Sequence, residues 1–189
     1  MGAFAFGLLE LALLGKQARR RAELLDYIDL LISNPQTKEQ LLHQVIVANL
    51  WILGSEYSLL SSNKTMRTAV ENHSKTRYTG KNASKRPDLL LLSEMRGRHL
   101  LIEFKRPSKM LDRSDESQAQ QYRDDFGKTF HPMKIMLIGG SVDTKLRLNQ
   151  APDVEYISYT DLCARARAEL AWLINNLVEL PVERRSFFS

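Results

Sequence analysis

The sequence predicts an α/β fold in which a mixed sheet of four to five strands is flanked by helices. Three observations carry this. Apolar residues recur at helical spacing near both ends of the chain. Between them, the short apolar runs LLLLS, HLLIEF and MKIMLIG have strand length and are bordered by turn residues. The order helix, hairpin, helix, strand, strand, helix is that of a layered α/β domain.

The 189 residues are 43% hydrophobic and 26% charged, which suits one domain of ordinary size with an appended helical segment. The formal net charge of +5 hints at a polyanionic partner. The only cysteine, Cys163, rules out an intrachain disulfide and a thiolate zinc cluster, fits a reducing compartment, and reads as a small buried apolar residue.

The N-terminal run MGAFAFGLLELALLG is broken by Glu10 and too short to span a bilayer. The cluster Arg19, Arg20, Arg21 follows that run, whereas a secretory signal carries its charge in front. The segment is expected to be a helix packed on the domain or on a partner, with no membrane association and a cytoplasmic location. Leu24, Leu25, Ile28, Leu31 and Ile32 mark a helix over 22–33, broken by Asn34-Pro35. Thr37 and Gln40 spell a capping box that opens a second helix, ending at Gly54. Residues 55–72 read as a loop and short helix. Residues 73–86, HSKTRYTGKNASKR, hold five basic residues and no acidic one.

Strands follow over 88–93 and 99–104, joined by a turn at MRGR. Ser114 is expected to cap the helix DESQAQQYRDDF, with acids in its first turn where the macrodipole favours them. MKIMLIG (133–139) and VEYISY (154–159) read as buried strands. The last helix, 161–179, carries Leu162, Ala166, Leu170, Leu173, Ile174 and Leu177 on one stripe. The expected organisation is a helical segment over 1–35, the main domain over 36–180 and a tail over 181–189.

Within the hairpin, Asp88, Glu103 and Lys105 stand out as charges on or beside strands apolar enough to be buried, and unpaired buried charge is costly. Alternation puts Glu103 and Lys105 on one face of their strand, Ile102 and Phe104 on the other. Pairing of the two strands lets Asp88 approach Glu103. Two carboxylates there form an oxygen site for Mg²⁺ or Mn²⁺, with the Phe104 carbonyl as a third ligand. Lys105 can position a water or offset charge on a phosphorus-centred transition state, which together with a metal meets the needs of phosphodiester hydrolysis. The plain alternative is an aspartate at a strand start and a Glu–Lys pair on a solvated sheet face.

Pro87-Asp88, followed after fourteen residues by Glu103-Phe104-Lys105, resembles the signature of the PD-(D/E)XK nuclease superfamily. In the next helix Gln118 and Tyr122 are spaced like the Q-x-x-x-Y element of its RecB-like exonuclease branch, and i, i+4 spacing puts both on one helix face. The succession LWILGSEYSLLSSNKTMRTAVENH, RPDLLL and LLIEFKRPS is similar to nuclease-like domains at the C-terminal end of bacterial GHKL-type ATPases and, more loosely, to Shedu anti-phage nucleases. The resemblance covers roughly residues 40–175. It implies a restriction-endonuclease-like core over 36–180, a metal-dependent deoxyribonuclease in phage defence or DNA processing, and an ATPase partner or ATPase domain. No phosphate-cradling glycine loop accompanies it.

The family also uses an acidic residue from its first helix. The candidate is Glu56, just beyond Gly54, against a reading as a surface acid; Glu39 and Glu71 are further candidates, and His43 is read as a satisfied structural histidine. Lys75, Arg77, Lys81, Lys85 and Arg86 lead straight into Asp88 and are expected to contact phosphates, with Tyr78 stacking on a base. The competing reading is a catalytically silent nuclease fold that binds nucleic acid or oligomerises beside an ATPase.

Overall fold

The computed structural model describes residues 2–54, 57–62, 68, 87–93, 97–127, 129–148 and 151–178. Its elements are α1 (Gly2–Ser33), α2 (Glu39–Val47), a 3₁₀ turn (Leu50–Ile52), β1 (Ser58–Ser62), β2 (Leu89–Ser93), β3 (Arg98–Phe104), β4 (Met110–Leu111), α3 (Arg113–Phe126), β5 (Met133–Gly139), β6 (Ser141–Val142), α4 (Thr144–Leu148), β7 (Val154–Ser158) and α5 (Tyr159–Val178). The main sheet is five-stranded in the order β1-β2-β3-β5-β7, and β4 pairs with β6 beside it. β1, β2 and β3 are antiparallel neighbours, whereas β3, β5 and β7 run parallel. The fold is therefore α/β with a mixed sheet flanked by helices, as the sequence predicts.

Strand alternation splits the core in two. Leu89, Leu91, Leu100, Ile102, Phe104, Met136 and Ile138 face Leu25 and Ile28 of α1, Leu42 and Ile46 of α2, and Leu162 and Ala166 of α5. Leu90, Leu101, Ile135 and Leu137 face Phe126 of α3, with Phe130 and Tyr156. Because both faces of β3 are covered, its sequence is a near-continuous apolar run and not an alternating one. Phe104 is 1% exposed at the end of that strand, and truncating such a ring to alanine costs about 3–5 kcal/mol. The N-terminal helix is tied to the domain as well as packed on it, with Arg167 donating to Asp29 at 2.6 Å and to Asp26 at 3.0 Å. Cys163 is free and buried, as expected, and burial pushes its thiol up to about 11.

Two glycines shape the surroundings of the site. Gly97 closes the hairpin at φ 57°, a left-handed conformation that costs other residues strain. At Gly140 any Cβ would fall inside the van der Waals radius of the Pro107 carbonyl oxygen. That close approach lets the Gly140 amide donate to the Lys109 carbonyl at 2.8 Å and seats the loop after Lys105 against the end of β5.

Several local expectations are corrected. Helix α2 starts at Glu39 with Lys38 at its N-cap and no side-chain cap, so Thr37 and Gln40 form no capping box. Asn34 takes the local hydrogen bonds instead: its side chain accepts from Gln36, and its carbonyl from Thr37. The helix does not run on to Gly54. It stops at Val47, the Asn49 side-chain amide donates back to the Val45 carbonyl, and a 3₁₀ turn covers Leu50–Ile52. Within 55–72, Ser58–Ser62 form an edge strand, masked in sequence by serines of low strand propensity. The cap of α3 is Asp112, not Ser114: Asp112 accepts from the Ser114 amide at 2.8 Å, and Asp115 accepts from the Asp112 amide at 3.0 Å, forming a capping box. Tyr159 begins α5 and does not end the strand before it. Among the described residues no helix is long and apolar enough to cross a membrane.

Candidate active site

Strand register assembles the site. Leu89 lies opposite Ile102, so Asp88, one residue before β2, falls beside Glu103 on β3. The Phe104 amide donates to Asp88 Oδ2 at 2.8 Å, and the Asp88 amide faces the Glu103 carboxylate. Each strand thus holds the carboxylate carried by the other. His43 Nε2 donates to the Asp88 carbonyl at 3.1 Å, which fixes the proton on that nitrogen because a carbonyl only accepts. The same ring stands edge-on to Phe104 at 5.3 Å between centroids, clamping the corner from the α2 side.

Glu103 is 3% exposed, and among the described residues its Oε1 has no hydrogen-bond partner. Burial, reinforced by the neighbouring Asp88 charge, pushes its carboxyl up to about 8, with Lys105 acting in the opposite sense. Burial also raises Asp88, against the stabilising Phe104 amide and the charges of His43 and Lys105. A third carboxylate shares this field. Glu39, in the first turn of α2, is raised by burial and then by Asp88, and lowered by Lys105, Arg106 and His43. Among the described residues no group of three or more acidic, histidine or cysteine side chains is placed to hold a metal ion. The charge of Glu39 also adds to the rise at Glu103.

Lys105 leaves β3 on the Glu103 face, toward α3. Its Nζ donates to Gln118 Oε1 at 3.4 Å and lies 4.0 Å from Asp115 Oδ1. Asp115 is anchored in turn by the capping box and by Lys109 at 3.5 Å. The lysine backbone is pinned on both sides: its amide donates to the Ile138 carbonyl at 2.8 Å, and the buried Tyr159 hydroxyl donates to its carbonyl at 2.8 Å. Burial first, then the charges of Glu39 and Asp88, hold the Tyr159 phenol well above its ordinary value.

The structure thus brings together Asp88, Glu103, Lys105, Phe104 and Gln118 of the residues expected from sequence. Tyr122 lies on α3 one turn beyond Gln118, and its side chain is outside the described ones. Glu56, Glu71 and the whole basic run, with Lys75, Arg77, Tyr78, Lys81, Lys85 and Arg86, lie outside the described residues. Sequence reasoning gives too little weight to Glu39 and His43. Their i, i+4 spacing on α2 is the available signal, since it directs both to one helix face. It also misses Tyr159, which reads as the end of a strand.

No family model matches this sequence, and no curated protein does. Among solved structures the chain is similar to a repair endonuclease from Pyrococcus abyssi at 14% identity and a TM-score of 0.47, over 67% of this chain and 48% of that one. It is also similar to a chain of an EndoMS–dsDNA2 complex at 17% identity and a TM-score of 0.41, over 62% of this chain and 42% of that one. The chain spans less than half the length of either.

Proposed function

We propose that this protein is a metal-dependent nuclease that hydrolyses DNA phosphodiester bonds with Asp88, Glu103 and Lys105. One observation carries the reading: Glu103 is buried with an unpartnered oxygen directly beside a second carboxylate. Burying that arrangement is unfavourable in the ionised state unless a cation completes it. The donors fit Mg²⁺ or Mn²⁺, which prefer carboxylate and carbonyl oxygens and retain several waters, so a small protein ligand set suffices. Asp88, Glu103 and the Phe104 carbonyl are the groups assigned to hold the ion, and the charge of Glu39 adds to the attraction. A bound divalent ion supplies Lewis acidity toward a phosphoryl oxygen and a more acidic water.

The remaining chemistry falls to the chain itself. Lys105 places an ammonium on the Glu103 face, where it offsets negative charge gathering on the scissile phosphate and can hydrogen-bond the attacking water. Gln118 and Asp115 limit the rotamers of that long side chain. The basic run that ends at Arg86 enters Asp88 through Pro87, which supports phosphate contacts beside the site, and Tyr78 is assigned to base stacking. A role in phage defence or DNA processing, with an ATPase partner, follows the resemblance of the sequence.

The test is cleavage of linear, circular and single-stranded DNA and of RNA, with Mg²⁺, with Mn²⁺ and with a chelator. Cleavage of DNA that requires a divalent ion and is lost in Glu103→Gln supports the proposal. DNA binding without cleavage under any metal would mean a silent nuclease fold, and cleavage of RNA alone would reassign the substrate.

A further inference from the structure

We propose that Arg106 is a substrate-binding residue that holds a second phosphate of the nucleic-acid strand, next to the scissile one, on the α2 side of the site. The inference rests on the nuclease reading above and adds a residue that belongs neither to the acids nor to the basic run before Asp88. Four cations follow one another along the loop after β3 and into the start of α3: Lys105, Arg106, Lys109 and Arg113. Three of them are engaged. Lys105 reaches Gln118 at 3.4 Å, Lys109 pairs with Asp112 at 2.7 Å, and Arg113 pairs with Glu116 at 3.3 Å. Arg106 is exposed, and among the described residues no hydrogen bond or ion pair takes up its guanidinium.

An exposed arginine is ordinarily a solvated charge, and two features set this one apart. The first is its fixed base. The Lys105 amide donates to the Ile138 carbonyl at 2.8 Å, the Lys109 amide to the Arg106 carbonyl at 2.9 Å, and the Gly140 amide to the Lys109 carbonyl. With the Tyr159 hydroxyl on the Lys105 carbonyl, the backbone on both sides of Arg106 is tied to the end of β5 and to α5. A side chain on such a base loses less freedom on binding than one on a loose loop. The second feature is what it faces. Alternation continued past β3 sends Lys105 to the α3 side and Arg106 to the opposite, α2 side. There its charge acts on Glu39, as that of Lys105 also does, so the two cations flank the acids from opposite faces of the strand end. A polyanion crossing the site toward α2 is repelled by Glu39. An arginine there offsets that repulsion, and its planar fork can donate two parallel hydrogen bonds to one phosphate, which a lysine cannot. Lys105 serves the scissile phosphate from one face, and Arg106, one residue on and across the strand, holds its neighbour.

The experiment is binding of a fluorescent duplex DNA by the full chain in chelator, followed by anisotropy over a range of salt, beside steady-state cleavage with Mg²⁺. Arg106→Gln should weaken binding at least about fivefold and lower the salt slope by up to about 0.9 logarithmic units, the share of one neutralised phosphate. Its cleavage should show a raised KM with kcat within about twofold of wild type. Arg106→Lys should keep the slope and recover only part of the affinity. Arg113→Gln removes an equal charge that is already paired with Glu116, and should change neither binding nor slope. An unchanged slope in Arg106→Gln would overturn the proposal, as would an equal loss in Arg113→Gln or a fall in kcat at unchanged KM. The two readings fail separately. A slope that depends on Arg106, without cleavage under any metal, upholds this contact and removes the nuclease, whereas metal-dependent cleavage with an unaltered slope does the reverse.

Discussion

The Phe104 amide and the Asp88 carboxylate meet at 2.8 Å, so the residue that ends β3 also aims the acid that precedes β2. One hydrogen bond thereby couples the hairpin register to the spacing of Asp88 and Glu103. Replacing Asp88 by asparagine keeps an acceptor for that amide, whereas alanine removes it. Asp88→Asn should fold within about 1 kcal/mol of wild type and lose metal affinity, and Asp88→Ala should lose metal affinity and about 1–2 kcal/mol of stability besides. Chemical denaturation of the two metal-free variants checks this; equal stabilities would show that the hydrogen bond does not hold the corner.

The raised carboxyl of Glu103 makes metal-free stability depend on pH. Between the ordinary value of 4.5 and about 8, the folded protein keeps a proton on Glu103 that the unfolded chain has released. Stability must therefore fall as pH rises across that window, by on the order of 5 kcal/mol. Asp88 and Glu39, also raised, add to the same trend. Glu103→Gln should flatten most of the slope, and Mg²⁺ should stabilise wild type more at pH 8 than at pH 6 because it competes with the proton. Thermal melts over pH 5 to 9 decide it, and a metal-free wild type that gains stability with rising pH would contradict the assigned burial.

Lys105→Ala should reduce cleavage by at least about 100-fold, the range seen when a group that stabilises transition-state charge is removed. Its ground-state partners are weak, with Asp115 at 4.0 Å and Gln118 at 3.4 Å, so the variant should lose less than about 1 kcal/mol of stability. Metal binding should persist. A variant that melts much earlier yet keeps activity per folded molecule would make the lysine a structural partner.

Tyr159→Phe deletes only the hydroxyl that holds the Lys105 carbonyl. Leaving that acceptor unpaired should cost about 1–2 kcal/mol, while the loosened strand end should lower kcat more than it changes KM. Unchanged kcat with the same loss of stability would confine the hydroxyl to folding.

Alanine at Lys81, Lys85 and Arg86 together should weaken DNA binding for all sequences alike. It should also flatten the salt dependence by up to about 0.9 logarithmic units for each phosphate no longer neutralised. High substrate at low salt should recover much of the turnover. An unchanged salt slope would move the DNA path elsewhere.

The hairpin and its three charges are legible in the sequence because their signals are local: strand-length apolar runs, a turn at Gly97, and alternation that puts Glu103 and Lys105 on one face. The order of elements then implies the mixed sheet. What is not legible depends on distant contacts or on competing local bonds. Glu39 reaches the site only because α2 packs on the face carrying Phe104, and its i, i+4 spacing with His43 gives a shared helix face but not that distant contact. Asp112 takes the cap from Ser114 because Asp115 returns the hydrogen bond and Lys109 pairs with Asp112 at 2.7 Å. The edge strand β1 draws its order from pairing with β2, which overrides its serine-rich sequence.

The central claim, that Asp88 and Glu103 form one divalent-cation site, is tested most directly by titrating Mn²⁺ into wild type and Glu103→Gln by calorimetry at pH 8. Wild type is predicted to bind one or two ions saturably with release of protons, and Glu103→Gln to bind at least about tenfold more weakly with the release diminished. Equal binding by the two proteins would contradict the account.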